Sequence, residues 1–194
     1  MARIQAVIFD LDGTLVDSIP GIQYAINAAA STILPGRQVS DQQLRRIIGP
    51  PIRQMMEDAF DVHGEMLDRL EVSFRRTYDS VGWQRSIAYP GVAETLGALK
   101  QGGRECFVVT NKPAAPARRI LELLQLDQFL ADVVTPDTTQ PSFASKAAAL
   151  AHLITVHGLP LASTLMVGDT AADAQAALAN GVAFFPVGYG YGTP

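Results

Sequence analysis

Two aspartates stand two residues apart at the end of an apolar run, "AVIFDLDGT", where Asp10 and Asp12 lead directly into Gly13 and Thr14. Residues i and i+2 of a strand share one face, and two carboxylates so placed repel unless a cation sits among them. Other short apolar runs also end in polar residues: "CFVVTN" closes on Thr110 and Asn111, and "TLMVGD" on Asp169, with Asp173 one helical turn later. Oxygen-only ligands of this kind suit Mg²⁺, which takes few protein carboxylates and keeps several waters. With such an ion, Asp10 has the chemistry of a nucleophile toward phosphorus, and Asp12 can give and later take a proton. Thr110 and Asn111 offer a hydroxyl and an amide to phosphoryl oxygens, and Lys146 offers a positive charge to the phosphate and to Asp10. Gly13 is expected to let the chain turn tightly beneath the phosphate, with backbone N–H groups facing it.

These residues need elements that bring them together. The apolar runs at 6–9, 106–110, 132–135, 164–168 and 182–187 are continuous rather than alternating, which marks buried parallel strands. Helical patterns at 92–101, 114–125, 144–157 and 171–180 supply the crossovers. In open parallel sheets ligands bind at the carboxyl ends of the strands, near the point where strand order reverses; Asp10, Thr110 and Asp169 all stand at such ends. Residues 17–87 break the rhythm, with helical spacing at 19–33, 41–48, 51–62 and 65–81 and no strand. The expected architecture is α/β. Residues 1–16 and 88–194 form a doubly wound parallel sheet, a Rossmann-like catalytic core, and 17–87 an all-helical cap inserted after the first strand. The chain re-enters the core at Tyr89-Pro90-Gly91.

Composition narrows the classes. Of 194 residues 48% are hydrophobic and 18% charged, as in a globular chain. The net charge is −4 and the only lysines are Lys100, Lys112 and Lys146, far apart, so no nucleic-acid partner is expected. The first apolar stretch is too short for a signal peptide, and no segment offers the roughly 20 apolar residues of a membrane span. No membrane partner and a cytoplasmic location are the resulting expectations. Cys106 is the single cysteine, which excludes an internal disulfide or a thiolate metal site. Bland roles compete with sharp ones elsewhere: Asp17 and Ser18 read as caps of the first cap helix, and an Asp at 169 would cap the helix 171–180 in any case.

The stretches "FDLDGTLVDS", "VVTNKP" and "MVGDTAADAQAALANG", in this order, resemble the haloacid dehalogenase-like superfamily of phosphohydrolases, in its phosphoglycolate phosphatase-like branch. The resemblance covers most of the chain, including the helical cap and the re-entry "YPGVAETL". It implies that Asp10 is the nucleophile and Asp12 the acid/base, with the Asp12 backbone carbonyl on Mg²⁺. It further implies that Thr110 binds the phosphoryl group, Lys146 stabilises charge, Asp169 is a metal ligand, and Asp173 acts from behind the ligands or through water. In the family the cap connector, here "IIGPPIRQMM" with Arg53, meets the substrate; a plain helix connector is the competing reading.

Two departures stand out. Many relatives carry Lys-Pro-x-Pro as a third motif, whereas this chain has "TTQPSFASKAAALAHL", which leaves Lys112 as a competitor to Lys146. Relatives also continue with another helix and strand after the glycine-rich loop that "PVGYGYGTP" resembles, so either the core is trimmed there or the chain goes on. The expected function is a Mg²⁺-dependent phosphatase hydrolysing a small-molecule phosphate monoester, phosphoglycolate first, through an aspartyl phosphate, as a monomer or homodimer. A phosphosugar mutase with the same core chemistry is the alternative, as is a non-catalytic relative that binds a phosphate or a partner. Asp12 argues against a haloalkanoate dehalogenase, and the absence of lysine between Asp17 and Ile87 argues against a phosphonate hydrolase.

Overall fold

In the computed structural model, which describes residues 3–192, the chain divides into two compact units. One holds the residues up to Asp17 and from Ala88 onward; the other runs from Ser18 to Ile87. The first begins with β1 (Ala6–Phe9) and a two-residue strand, β2 (Val16–Asp17). The second contains α1 (Ile19–Ile33), α2 (Asp41–Ile47), α3 (Ile52–Phe60) and α4 (Gly64–Thr77). In α1 the residues Ile19, Ile22, Ala25, Ile26, Ala29 and Ala30 are buried, the three-and-four spacing of an amphipathic helix. Ser40 and Gln43 form a reciprocal capping box that starts α2. The spacing predicts a helix through residue 81, but α4 stops at Thr77 and a π-helical turn, Tyr78–Gly82, follows. Close approach to α1 accompanies that change: a Cβ on Gly21 would lie 2.2 Å from the Gly82 carbonyl oxygen.

The chain returns through β3 (Ile87–Ala88), which pairs with β2. Alternation then takes over: α5 (Val92–Gln101), β4 (Glu105–Val109), α6 (Ala114–Leu123), β5 (Asp132–Val134), α7 (Lys146–His157), β6 (Thr164–Gly168), α8 (Ala171–Ala179) and β7 (Ala183–Pro186). Among the described residues β5-β4-β1-β6-β7 form one sheet in that order, and every pairing in it is parallel. The chain moves outward from β1 through β4 to β5, then crosses to β6 and β7 on the other side. Strand order therefore reverses beside β1, the place where doubly wound sheets open a crevice. Ile8, Phe107, Val109, Val134, Leu150, Leu153 and Met166 belong to the packed core on this sheet, and burying each such side chain contributes about 1.5–3 kcal/mol. The fold is thus the α/β, Rossmann-like arrangement expected.

Candidate active site

Strand β1 delivers Asp10. Its N–H donates to the Val167 carbonyl at 2.9 Å, prolonging the β1–β6 pairing by one residue, and Asp10 is only 5% exposed. A carboxylate so buried needs a counter-charge. Lys146, the first residue of α7, brings Nζ to 2.5 Å from Oδ1 of Asp10 and 2.5 Å from Oδ1 of Asp173. The start of α7 is fixed by Ser145, whose hydroxyl accepts from the Ala148 N–H at 3.2 Å.

Asp173 is fully buried on α8. Its Oδ2 accepts from the Thr170 N–H at 2.9 Å and from the Thr170 hydroxyl at 2.6 Å. Thr170, not Asp169, is consequently the N-cap of α8. Both residue types cap helices well, and the contest is decided by Asp169 turning elsewhere. It accepts from the Thr14 hydroxyl at 3.2 Å and from the Tyr191 and Gly192 N–H groups at 2.7 and 3.2 Å. Ser18 occupies the N-cap position of α1 without a side-chain capping bond.

Asp10, Asp169 and Asp173 each offer an oxygen within 4.8 Å of the others. When ionised, these three carboxylates face one ammonium, so two negative charges remain unbalanced in a buried place. An oxygen-preferring divalent cation such as Mg²⁺ balances that excess, and the donor set fits it. Burial pushes the Asp10 carboxyl up to about 7; the Lys146 ammonium opposes the rise, and Asp173 and Asp12 add to it. Burial acts to lower Lys146, but Asp10 and Asp173 outweigh it and hold the ammonium above its ordinary value.

The Asp12 carboxylate lies outside this trio. Lys112 Nζ donates to both of its oxygens, at 2.9 and 3.0 Å, and that lysine is itself nearly buried. The two lysines therefore meet different aspartates: Lys146 reaches Asp10, and Lys112 reaches Asp12. The Lys112 N–H also donates to the Thr110 hydroxyl oxygen at 3.1 Å. With an acceptor position of Thr110 filled, its proton is left to be donated to a ligand. Thr110, Asn111 and Lys146 line a recess of about 110 Å³ with Pro136, Phe143 and Ser145.

Gly13 makes a turn at φ 90°, but its N–H donates to the Val16 carbonyl at 2.8 Å. Against the expectation, that donor closes the loop on itself rather than facing outward. Arg53 lies in the helical unit, where its guanidinium pairs with Asp68 at 2.7 Å and Glu71 at 3.1 Å. Three contributors to the site were not singled out from sequence: Lys112 as the partner of Asp12, Thr14, and the segment carrying Tyr189 and Tyr191. Thr14 lies in the first motif, Lys112 in the second and the tyrosines in the glycine-rich stretch, but none of these signals gave the partner.

Comparison with known proteins gives a consistent family. The model of the haloacid dehalogenase-like hydrolases matches residues 7–187. A phosphoglycolate phosphatase of Aliivibrio fischeri is 35% identical over 199 residues, which cover 97% of this chain and 86% of that protein. The tyrosine-protein kinase PtkA of Mycobacterium tuberculosis is 36% identical over 190 residues; these cover 97% of this chain and 63% of the mycobacterial one. Among solved structures, a predicted phosphoglycolate phosphatase of Haemophilus somnus matches with a TM-score of 0.87 at 30% identity, covering 99% of this chain and 88% of that one.

Proposed function

The chain belongs to the haloacid dehalogenase-like hydrolase family as one of its phosphatases, and we propose that it hydrolyses a small phosphate monoester, phosphoglycolate or a close analogue, by way of a phosphoaspartate at Asp10. The observation that carries this reading is the buried Asp10 at the end of the central strand, held by Lys146 and grouped with Asp169 and Asp173.

In the first step an Asp10 carboxylate oxygen bonds to phosphorus as the ester P–O bond breaks, and Asp12 gives a proton to the leaving oxygen. Water then attacks phosphorus while Asp12 takes its proton; the Asp10–phosphorus bond breaks and inorganic phosphate leaves. The Thr110 hydroxyl and the Asn111 amide donate to phosphoryl oxygens, and the Lys146 ammonium opposes the charge that collects there. Lys112 holds the Asp12 carboxylate by both oxygens, which fixes its direction. Magnesium, held by Asp10 and Asp169 with the Asp12 backbone carbonyl and backed by Asp173, would supply positive charge that keeps Asp10 ionised and draws phosphoryl oxygens.

Phosphate release from a panel of esters, p-nitrophenyl phosphate included, with and without Mg²⁺, tests the reading. Asp10→Asn should lower kcat by about four orders of magnitude or more, and an unchanged rate would sink the mechanism. The similarity to a tyrosine-protein kinase favours a second reading, in which the phosphoryl group passes from Asp10 to an acceptor hydroxyl; a mutase is a case of the same kind. Inorganic phosphate released in equal amount to the alcohol product argues for water, and label found on an added acceptor argues for transfer.

A further inference from the structure

Beyond β7, residues 187–192 read "VGYGYG" and run back toward Asp169. The Val187 N–H donates to the Gly168 carbonyl at 2.9 Å. The Tyr191 and Gly192 N–H groups converge on Oδ2 of Asp169. Side chains tie the segment down at both tyrosines: the Tyr189 hydroxyl donates to the Thr14 carbonyl at 2.9 Å, and the Tyr191 hydroxyl to the Asp17 carboxylate at 3.0 Å. The Tyr189 ring also packs on Tyr89, with centroids 4.7 Å apart.

Glycine makes this approach possible. A Cβ on Gly190 would lie 2.4 Å from the Asp169 Cβ and 2.4 Å from the Gly13 carbonyl oxygen. On Gly192 it would lie 1.8 Å from the Asp169 carbonyl oxygen, and on Gly13 2.3 Å from Asp169 Oδ2. Three glycines, from segments about 180 residues apart in sequence, thus clear the space around one carboxylate. An ionised carboxylate has about four acceptor positions. The two backbone amides occupy Oδ2, and Thr14 takes one position on Oδ1, so acceptor capacity remains on Oδ1 alone.

We infer that residues 187–192 form a strap that orients the Asp169 carboxylate for a divalent cation, with Gly190, Gly192 and Tyr189 as positioning residues. The strap rests on the magnesium-dependent reading proposed above. Hydrogen bonds to a ligating carboxylate fix its direction, and removing such partners typically costs about 10–100-fold in metal affinity. A strap that merely closes the sheet edge would instead change stability and leave cation affinity alone.

Calorimetric titration of Mg²⁺ into the substrate-free full chain distinguishes the two, with thermal unfolding in EDTA as the measure of stability. Gly190→Ala is expected to weaken Mg²⁺ binding about tenfold or more. Should that variant fail to fold, Tyr189→Phe carries the test, because it keeps the ring and removes one hydrogen bond; its expected effect is a smaller loss of affinity in the same direction. A folded variant that melts earlier yet binds Mg²⁺ as the wild type does overturns the strap. Wild-type chain that binds no Mg²⁺ overturns the functional reading and the strap together. Wild-type chain that binds Mg²⁺ and releases phosphate, beside a variant of unchanged affinity, overturns the strap alone.

Discussion

The sheet unit and the helical unit both pair acidic with basic side chains, but at different depths. In the sheet unit the side chains of Lys146, Asp10 and Asp173 are 7%, 8% and 0% exposed, and each charge depends on its neighbours because water is excluded. In the helical unit Arg53, Asp68, Arg75, Arg45 and Asp41 are all 43% exposed or more, and even Glu71, which pairs with Arg53 and Arg75, is 22% exposed, so solvent reaches each pair. Depth, more than the presence of an acid beside a base, separates a reactive group from a solvated one.

Removing the buried cation is the most severe way to test that contrast. Lys146→Met fills similar space with an unbranched, uncharged side chain and leaves Asp10 facing Asp173 without compensation. Phosphatase kcat should fall by about two to three orders of magnitude, and urea unfolding should show a loss of about 3 kcal/mol or more. A variant as stable as the parent would place Lys146 with the surface pairs and erase the distinction between the units.

A proton and a cation compete for the same buried carboxylate, which gives a test of middle size. The Asp10 carboxyl stands at about 7 in the folded chain against an ordinary 3.8. A folded value above the unfolded one means that the folded chain holds the proton more tightly. The stability from that proton is full below about pH 4 and is lost as pH rises through about 7. In EDTA the Tm should therefore fall between about pH 5.5 and about pH 8. Mg²⁺ should raise it more at the upper pH, where no proton has to be displaced. Equal Mg²⁺ shifts at both pH values would remove Asp10 from the cation site, and a pH dependence surviving in Asp10→Asn would assign the proton to another group.

Most of the sheet unit was legible because its strands are continuous apolar runs ending in polar residues. The expected strands at 6–9 and 164–168 coincide with β1 and β6, and those at 106–110, 132–135 and 182–187 differ from β4, β5 and β7 by a residue at one or both ends. Strands of two residues, such as Val16–Asp17 and Ile87–Ala88, have no hydrophobic run to announce them. The helical pattern expected over 65–81 is met by α4 and the π-helical turn after it, and the change of turn type at Tyr78 has no signal in the spacing. In the site, Asp10, Asp169 and Asp173 stood at readable positions. Lys112 with Asp12 and Tyr189 with Thr14 did not, since these pairs are separated by 100 and 175 residues and no periodicity links them.

Arg53 provides the smallest effect and the control for the others. Its guanidinium pairs with Asp68 and Glu71, yet its side chain is 44% exposed and that of Asp68 is 60% exposed. Water solvates both charges whether or not they meet, and holding two long side chains together costs entropy, so the gain from such pairs is small. Arg53→Ala should leave the urea midpoint where it is, in contrast to Lys146→Met. The substrate contact that the family resemblance implies for Arg53 adds a separate expectation, a raised KM for the ester with kcat retained. A drop in stability with KM unmoved would break the comparison from the other side, because an exposed pair would then be behaving as a buried one.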